Sequence, residues 1–166
     1  MKIVDLPQSV VIEEQGLRDG LQSEAEVVPT EKKLEIIDAL IDAGVKRIQI
    51  ASLVNPKLIP QMADAENLCA GLKKRHGVVY SMLVLNPKGM ERAANAGASH
   101  VTASISASNT HSQRNAGMTL AEARRQLSEM VTIGKKSGLT VRGGLQCVFG
   151  CRYEGRIDPN TVMDML

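Results

Sequence analysis

Apolar and polar positions fall into a repeating order along this chain: a short apolar run, a polar turn, an amphipathic stretch, a glycine, then the next apolar run. Val10-Val11-Ile12 reads as a first buried strand. After Pro29-Thr30 the apolar residues Leu34, Ile37, Leu40 and Ile41 recur at helical spacing, with Thr30 expected as the cap and Gly44 as the stop. A second strand is predicted over 45–51, where Ile48 and Ile50 alternate with Arg47 and Gln49. A helix over 61–74, the break at Gly77 and a third strand over 78–85 continue the pattern. Asn86-Pro87 then caps and starts a helix that stops at Gly97, because proline's missing donor costs nothing in a first turn. A fourth strand over 101–105 is followed by a polar loop over 106–117 and a long helix from Thr119 to about Ser137, closed by Gly138. The fifth strand spans 139–148, and Asp158-Pro159 begins a fifth helix.

Four times a helical stretch ends at a glycine and an apolar strand follows. That alternation predicts parallel strands with helices packed outside, either as a barrel or as an open doubly wound sheet. Periodicity alone leaves both architectures open. The turn after the first strand, Gly16-Leu17-Arg18-Asp19-Gly20, is not Gly-x-Gly-x-x-Gly, so dinucleotide binding loses its main signal.

Composition narrows the function classes. With 43% hydrophobic and 23% charged residues the chain has the make-up of an ordinary globular protein, and no apolar run approaches the ~20 residues of a membrane span. A formal charge of +2, one Phe, two Tyr and no Trp give neither the field nor the stacking platforms for nucleic acid. The first residues lack the apolar core of a secretory leader and the Arg-rich look of a transit peptide, so the cytoplasm is expected. Cys69, Cys147 and Cys151 cannot all pair and suit reduced, structural thiols; zinc would need ligands beyond Cys147 and Cys151.

In α/β architectures ligands gather at the carboxyl ends of strands. Arg18, Asp19 and Gln22 fall there after the first strand, Gln49 and Ser52 at the second, Asn86 after the third, and Ser106, Ser108, His111 and Arg114 after the fourth. Gly16 and Gly20 bracket Arg18-Asp19 and allow tight or positive-φ backbone, so that both side chains can enter one small volume beside Gln22. A carboxylate holds hard metals and a guanidinium clamps oxyanions, which suits a substrate with an anionic oxygen and a divalent cation.

The string Arg18-Asp19-Gly20-Leu21-Gln22 with Glu14 and Glu24, the segment from Ala51-Ser52-Leu53-Val54-Asn55-Pro56-Lys57 to Pro60-Gln61-Met62, and the region from Val141-Arg142-Gly143 through Cys147 and Gly150-Cys151 to Tyr153-Glu154-Gly155 resemble the hydroxymethylglutaryl-CoA lyase family, metal-dependent lyases built on a TIM barrel. The resemblance runs over nearly the whole chain and implies a partial TIM (β/α)8 barrel: one incomplete domain over 1–166, about five βα units of eight, since a closed barrel takes about 250 residues. It implies retro-Claisen cleavage of a 3-hydroxy-3-methylglutaryl-type acyl-CoA to acetyl-CoA and a 3-oxo acid. Arg18 matches the family's catalytic arginine and Asp19 its first ligand to a divalent metal, Mg or Mn, while Gln22, Gln49 and Ser52 match the substrate pocket.

Two departures stand out. Gln49 replaces the family's catalytic glutamate, and an amide cannot exchange a proton as a carboxylate does. The family's His-x-His metal pair has no counterpart, the histidines being His76, His100 and His111, so metal coordination by this chain is incomplete and the chain is expected to be inactive by itself. His111 alone is too little to replace that pair. A Claisen-condensing synthase of the isopropylmalate or homocitrate type shares the Arg-Asp-Gly loop, but Leu21 favours the lyase. The remaining alternative is a non-catalytic half-barrel that forms a homo-oligomer or joins a complementary C-terminal chain, since unpaired strand edges invite association.

Overall fold

The computed structural model describes residues 7–166, so the leader-free reading of the chain's start falls outside it for residues 1–6. Four parallel strands, β1 (Arg47–Ser52), β2 (Val79–Val84), β3 (His100–Ser106) and β4 (Thr140–Gln146), pair in the order β1-β2-β3-β4. Each new strand adds beside the last, with no reversal. A barrel winds that way, whereas a doubly wound sheet reverses at a switch point.

The helices are α1 (Thr30–Asp42), α2 (Ala65–Ala70), α3 (Pro87–Asn95), α4 (Asn109–Ala116), α5 (Leu120–Lys136) and α6 (Pro159–Met163). Gly44, Gly97 and Gly138 lie just past α1, α3 and α5 with φ of +96°, +74° and +71°, the left-handed turn that ends a helix without a Cβ penalty. Asn86 and Asp158 cap α3 and α6 as expected, and Thr119 forms a reciprocal capping box with Glu122 on α5.

Register divides the sheet into two unlike faces. Ile48, Met82, Val84, Val101 and Ala103 turn one way and share a core with Ile37 of α1, Leu68 of α2, Met90 of α3 and Met130 of α5. Gly134 lets α5 settle onto β4: a Cβ there would meet Val141 Cγ2 at 2.5 Å. The opposite face carries Gln49, Ser81, Thr102, Ser104 and Arg142, whose strand partners are in register with one another. Polar side chains on that face and helices confined to the other leave a concave polar surface, the inner wall of a partial barrel.

Several elements differ from the sequence reading. Val10, Val11 and Ile12 are 79%, 77% and 80% exposed rather than a buried strand. Among the described residues of this stretch only Glu14 pairs, by a parallel bridge to Ile48 with hydrogen bonds of 2.9 Å to Arg47 and 2.8 Å from Gln49. Val10–Ile12 joins no ladder among the described residues, so its apolar run stays in water. The helix expected over 61–74 is a 3-10 turn, Pro60–Met62, followed by the short α2. Thr30 does not cap α1; its hydroxyl donates to Asp64 Oδ2 at 2.7 Å. The loop expected over 106–117 contains α4, capped by Ser108. The last strand stops at Gln146 because Cys147 takes a positive φ of 60°. No helix among the described residues is long and apolar enough to cross a membrane.

Candidate active site

Residues Gly16–Gly20 form one π-helical turn packed at the carboxyl end of β1, closed by the amides of Arg18 and Asp19 donating to the Gln15 carbonyl at 3.1 and 2.7 Å. Such wide turns recur at functional sites because they push one side chain out of helical phase. Of the tight or positive-φ backbone open to Gly16 and Gly20, the structure takes the tight turn, and neither has a positive φ; at Gly16 a Cβ would press on Glu14 Oε1 at 2.8 Å, so the requirement there is space.

The turn aims Arg18 across the polar face. Arg18 Nε donates to Gln49 Oε1 at 2.7 Å, one terminal nitrogen to Gln15 Oε1 at 2.8 Å, and the other to Asp19 Oδ1 at 2.6 Å. Arg18 is mostly buried while the Asp19 side chain is 72% exposed, so their ion pair stands at the rim of the site with its carboxylate in water. Gln49 is fully buried on β1.

A bulge in β1 completes the arrangement. Gln49 is in register with Ser81, yet Ala51 is in register with Met82, so the strand slips by one residue between them. Strict alternation would send Gln49 and Ser52 to opposite faces; the bulge returns Ser52 to the polar face opposite Leu83. There its hydroxyl lies 3.4 Å from Gln22 Oε1. Two contact groups result, Arg18 with Gln49 and Asp19, and Ser52 with Gln22, the β1 bulge setting Gln49 and Ser52 on the same face. A hollow of about 350 Å³ opens beside it, lined by Gln15, Arg18, Gln49, Thr102, Ser104 and Arg142.

The other candidates have local roles. Asn86 Oδ1 accepts the Gly89 amide at 2.8 Å as a helix cap. Ser108 caps α4 and donates to Cys151 Sγ at 3.1 Å, and the Ser106 hydroxyl accepts the Ser108 amide. Arg114 stacks on the Tyr153 ring at 4.6 Å. His111 lies in α4, its Nδ1 buried without a protein partner. All three cysteines are unpaired thiols. Burial pushes the Cys69 thiol up; burial also raises Cys151, but hydrogen bonds from Ser108 and the Tyr153 and Glu154 amides outweigh it and lower that thiol.

Two further residues matter. Glu13, 8% exposed, receives hydrogen bonds from Ser81 at 2.9 Å, Arg47 at 3.1 Å and Arg142. Burial raises its carboxyl, and these donors overcome that effect and hold it below the ordinary glutamate value. Gln15 joins Glu13 to Arg18, donating from Nε2 to Glu13 Oε2 at 3.3 Å. The signal for both was their spacing: in an extended segment Glu13 and Gln15 point the same way, and Glu14 is the residue that pairs beside Ile48.

For a divalent metal the donor set is poor. Among the described residues no three His, Cys, Asp or Glu side chains come together. Asp19 supplies one carboxylate, already bonded to Arg18, where a hard cation takes about six oxygen ligands. These residues by themselves do not fit a bound metal.

A sequentially wound parallel sheet with polar chemistry at the carboxyl ends of its strands defines an α/β protein of the TIM-barrel class, present as a partial barrel. Residues 9–166 match the HMGL-like family model, and the chain belongs to that family. It is 39% identical over 159 residues to the mitochondrial hydroxymethylglutaryl-CoA lyase of Bos taurus, covering 96% of this chain and 49% of that one. It is 40% identical to the cytoplasmic 3-hydroxy-3-methylglutaryl-CoA lyase of Danio rerio, covering 95% of this chain and 47% of that one. A solved HMG-CoA lyase from Acinetobacter baumannii, in complex with coenzyme A and 3-methylmalate, superposes with a TM-score of 0.88 at 35% identity, over 93% of this chain and 50% of its own. The chain spans about half the length of the relatives it matches.

Proposed function

We propose that this chain carries the arginine side of a hydroxymethylglutaryl-CoA lyase-type active site, which cleaves a 3-hydroxy-3-methylglutaryl-type acyl-CoA to acetyl-CoA and a 3-oxo acid. The observation that supports this reading is Arg18, held by Gln49 and Gln15 beside an open hollow that it helps to line. When the carbon–carbon bond breaks, negative charge grows on the departing thioester enolate, and a preplaced guanidinium stabilises it without having to reorient. Gln22 and Ser52 line the acyl group's path. Gln49 presents an amide where proton exchange would need a carboxylate, so its role is to hold rather than to titrate. A relative solved with coenzyme A supports the acyl-CoA class.

A divalent metal, Mg or Mn, belongs to this reading with Asp19 as a single donor; the chain alone is therefore expected to bind substrate without turning it over. The unpaired thiols suit a reducing compartment such as the cytoplasm. Calorimetry with 3-hydroxy-3-methylglutaryl-CoA and Mg tests the assignment. Wild type should bind, and Arg18→Met should weaken binding at least tenfold, about 1.4 kcal/mol. Equal binding by both proteins, or turnover only of acetyl-CoA with a 2-oxo acid, would sink it.

The open polar face, the exposed Val10–Ile12 run and the outer edge of β4 support association with a complementary chain or a second copy. Sedimentation should show self-association that rises with concentration, or a heterodimer when a chain carrying the C-terminal half of a relative is added. A monomer unchanged at all concentrations and with that partner argues against it.

A further inference from the structure

We propose that the cavity between β2 and the end of α2, on the helix side of the sheet, is a second binding site that takes a small monocarboxylate with an aliphatic tail; it does not depend on the lyase reading. Its origin lies in the length of α2. The sequence predicts a helix through residue 74, but α2 stops at Ala70 with Gly71 as its C-cap, and residues 71–78 cross to β2 without regular structure. At Gly71 a Cβ would meet Leu34 Cδ1 at 2.9 Å, so the chain turns off the helix where it presses on α1. The helix layer is thus about one turn short over the amino end of β2. A cavity of about 120 Å³ lies there.

Its walls are apolar and its mouth is cationic. The buried Ile50, Met82 and Cys69 line it together with Leu72, and the exposed Lys74 and Arg75 complete the lining and so mark the opening. Burial raises the Cys69 thiol and the charge of Lys74 lowers it, which sets that ammonium near the thiol. The segment at the mouth is held in place: the Tyr80 hydroxyl donates to the Lys73 carbonyl at 3.1 Å, and Lys73 and Arg75 pair with Asp38 at 2.9 and 3.5 Å. Among the described residues Lys74 pairs with no carboxylate, so its charge is available to a ligand. Size and charge together select that ligand. An apolar cavity of about 150 Å³ takes a benzene ring, so one of about 120 Å³ takes an aliphatic tail of roughly four to six carbons. A carboxylate at the end of such a tail meets Lys74 while staying in water. A dicarboxylate would have to bury its second charge among Ile50, Met82 and Cys69, and that cost excludes it.

Methyl signals of the full chain labelled with 13C-methyl methionine read the site through Met82, with Met82→Leu assigning its signal. Hexanoate should shift the Met82 methyl saturably, with a Kd of about 1 mM, the range expected of so small a ligand. Hexanol, with no charge for the mouth, should bind about fivefold more weakly. Glutarate should leave the signal unmoved. Lys74→Glu changes an exposed side chain and should weaken hexanoate by about fivefold. Cys69→Leu narrows the cavity and should weaken hexanoate while sparing butyrate; if that variant fails to fold, Lys74→Glu still decides. Arg18→Met should bind hexanoate as wild type does. No response of Met82 to hexanoate, equal binding of hexanol, or undiminished binding by Lys74→Glu overturns the proposal. Loss of the response in Arg18→Met also overturns it, by moving the anion to the polar face.

Discussion

Asp64→Ala is expected to cost about 3 kcal/mol of folding stability, because it strips a buried ammonium of its counter-charge. Lys33 is 1% exposed, and its Nζ donates to Asp64 Oδ1 at 2.6 Å and to the Gln61 carbonyl at 2.7 Å. Asp64 also accepts from Thr30, so one carboxylate ties the start of α1 to the turn that leads into α2. Losing one partner of a buried pair leaves the other charge desolvated, and the low end of the usual range applies because Asp64 keeps 19% of its side chain in water. Urea unfolding of Asp64→Ala and of the double variant Asp64→Ala/Lys33→Met checks the cause. Removing both charges should recover much of the loss, since an apolar side chain of similar length fills the same space. A double variant no more stable than the single one would show that Lys33 was not the source.

Glu13→Gln should lower stability at neutral pH by about 2 kcal/mol, through two arginines left without their counter-charge. The figure is discounted because Arg47 and Arg142 remain 25% and 41% exposed. The pH dependence gives the sharper test. The folded Glu13 carboxyl titrates below its ordinary value of 4.5, so its contribution is complete above that pH and disappears as pH falls through the lower, folded value. Wild type should therefore lose stability on acidification below about pH 4.5 more steeply than Glu13→Gln, and the two proteins should converge in acid. Urea midpoints at pH 7 and in the acid range measure this. Parallel curves with a constant gap would mean that the carboxyl's charge is irrelevant to its place in the fold.

Much of the architecture was legible because it is written in local chemistry. Glycines that must turn left-handed after α1, α3 and α5, and caps at Asn86, Thr119 and Asp158, act within a few residues of themselves. The errors came where the deciding partner is distant. Val10–Ile12 has the composition of a buried strand and, among the described residues, no strand partner to bury it. α4 escaped notice because Asn109–Ala116 lacks an apolar stripe: only Ser112 is buried, and the helix is set by the Ser108 cap and the left-handed Gly117. At the site, Arg18 and Asp19 were legible as neighbours in a glycine-bracketed turn. Gln15 was not, since its role depends on Glu13 behind it and on the register of β1. The slip in β1 was equally hidden, because alternation carries no mark of where it is interrupted.

The one-sided placement of the helices has an electrostatic consequence. Arg18 and Arg142 both line a hollow that solvent can reach, where a pair of charges ~4 Å apart attracts by only about 1 kcal/mol in bulk water. Anything that roofs this face and expels water raises the same attraction to about 4 kcal/mol at the dielectric of a protein surface, without moving an atom. An anion bound there, as the proposed function requires, would be held as much by whatever covers the charges as by the charges themselves.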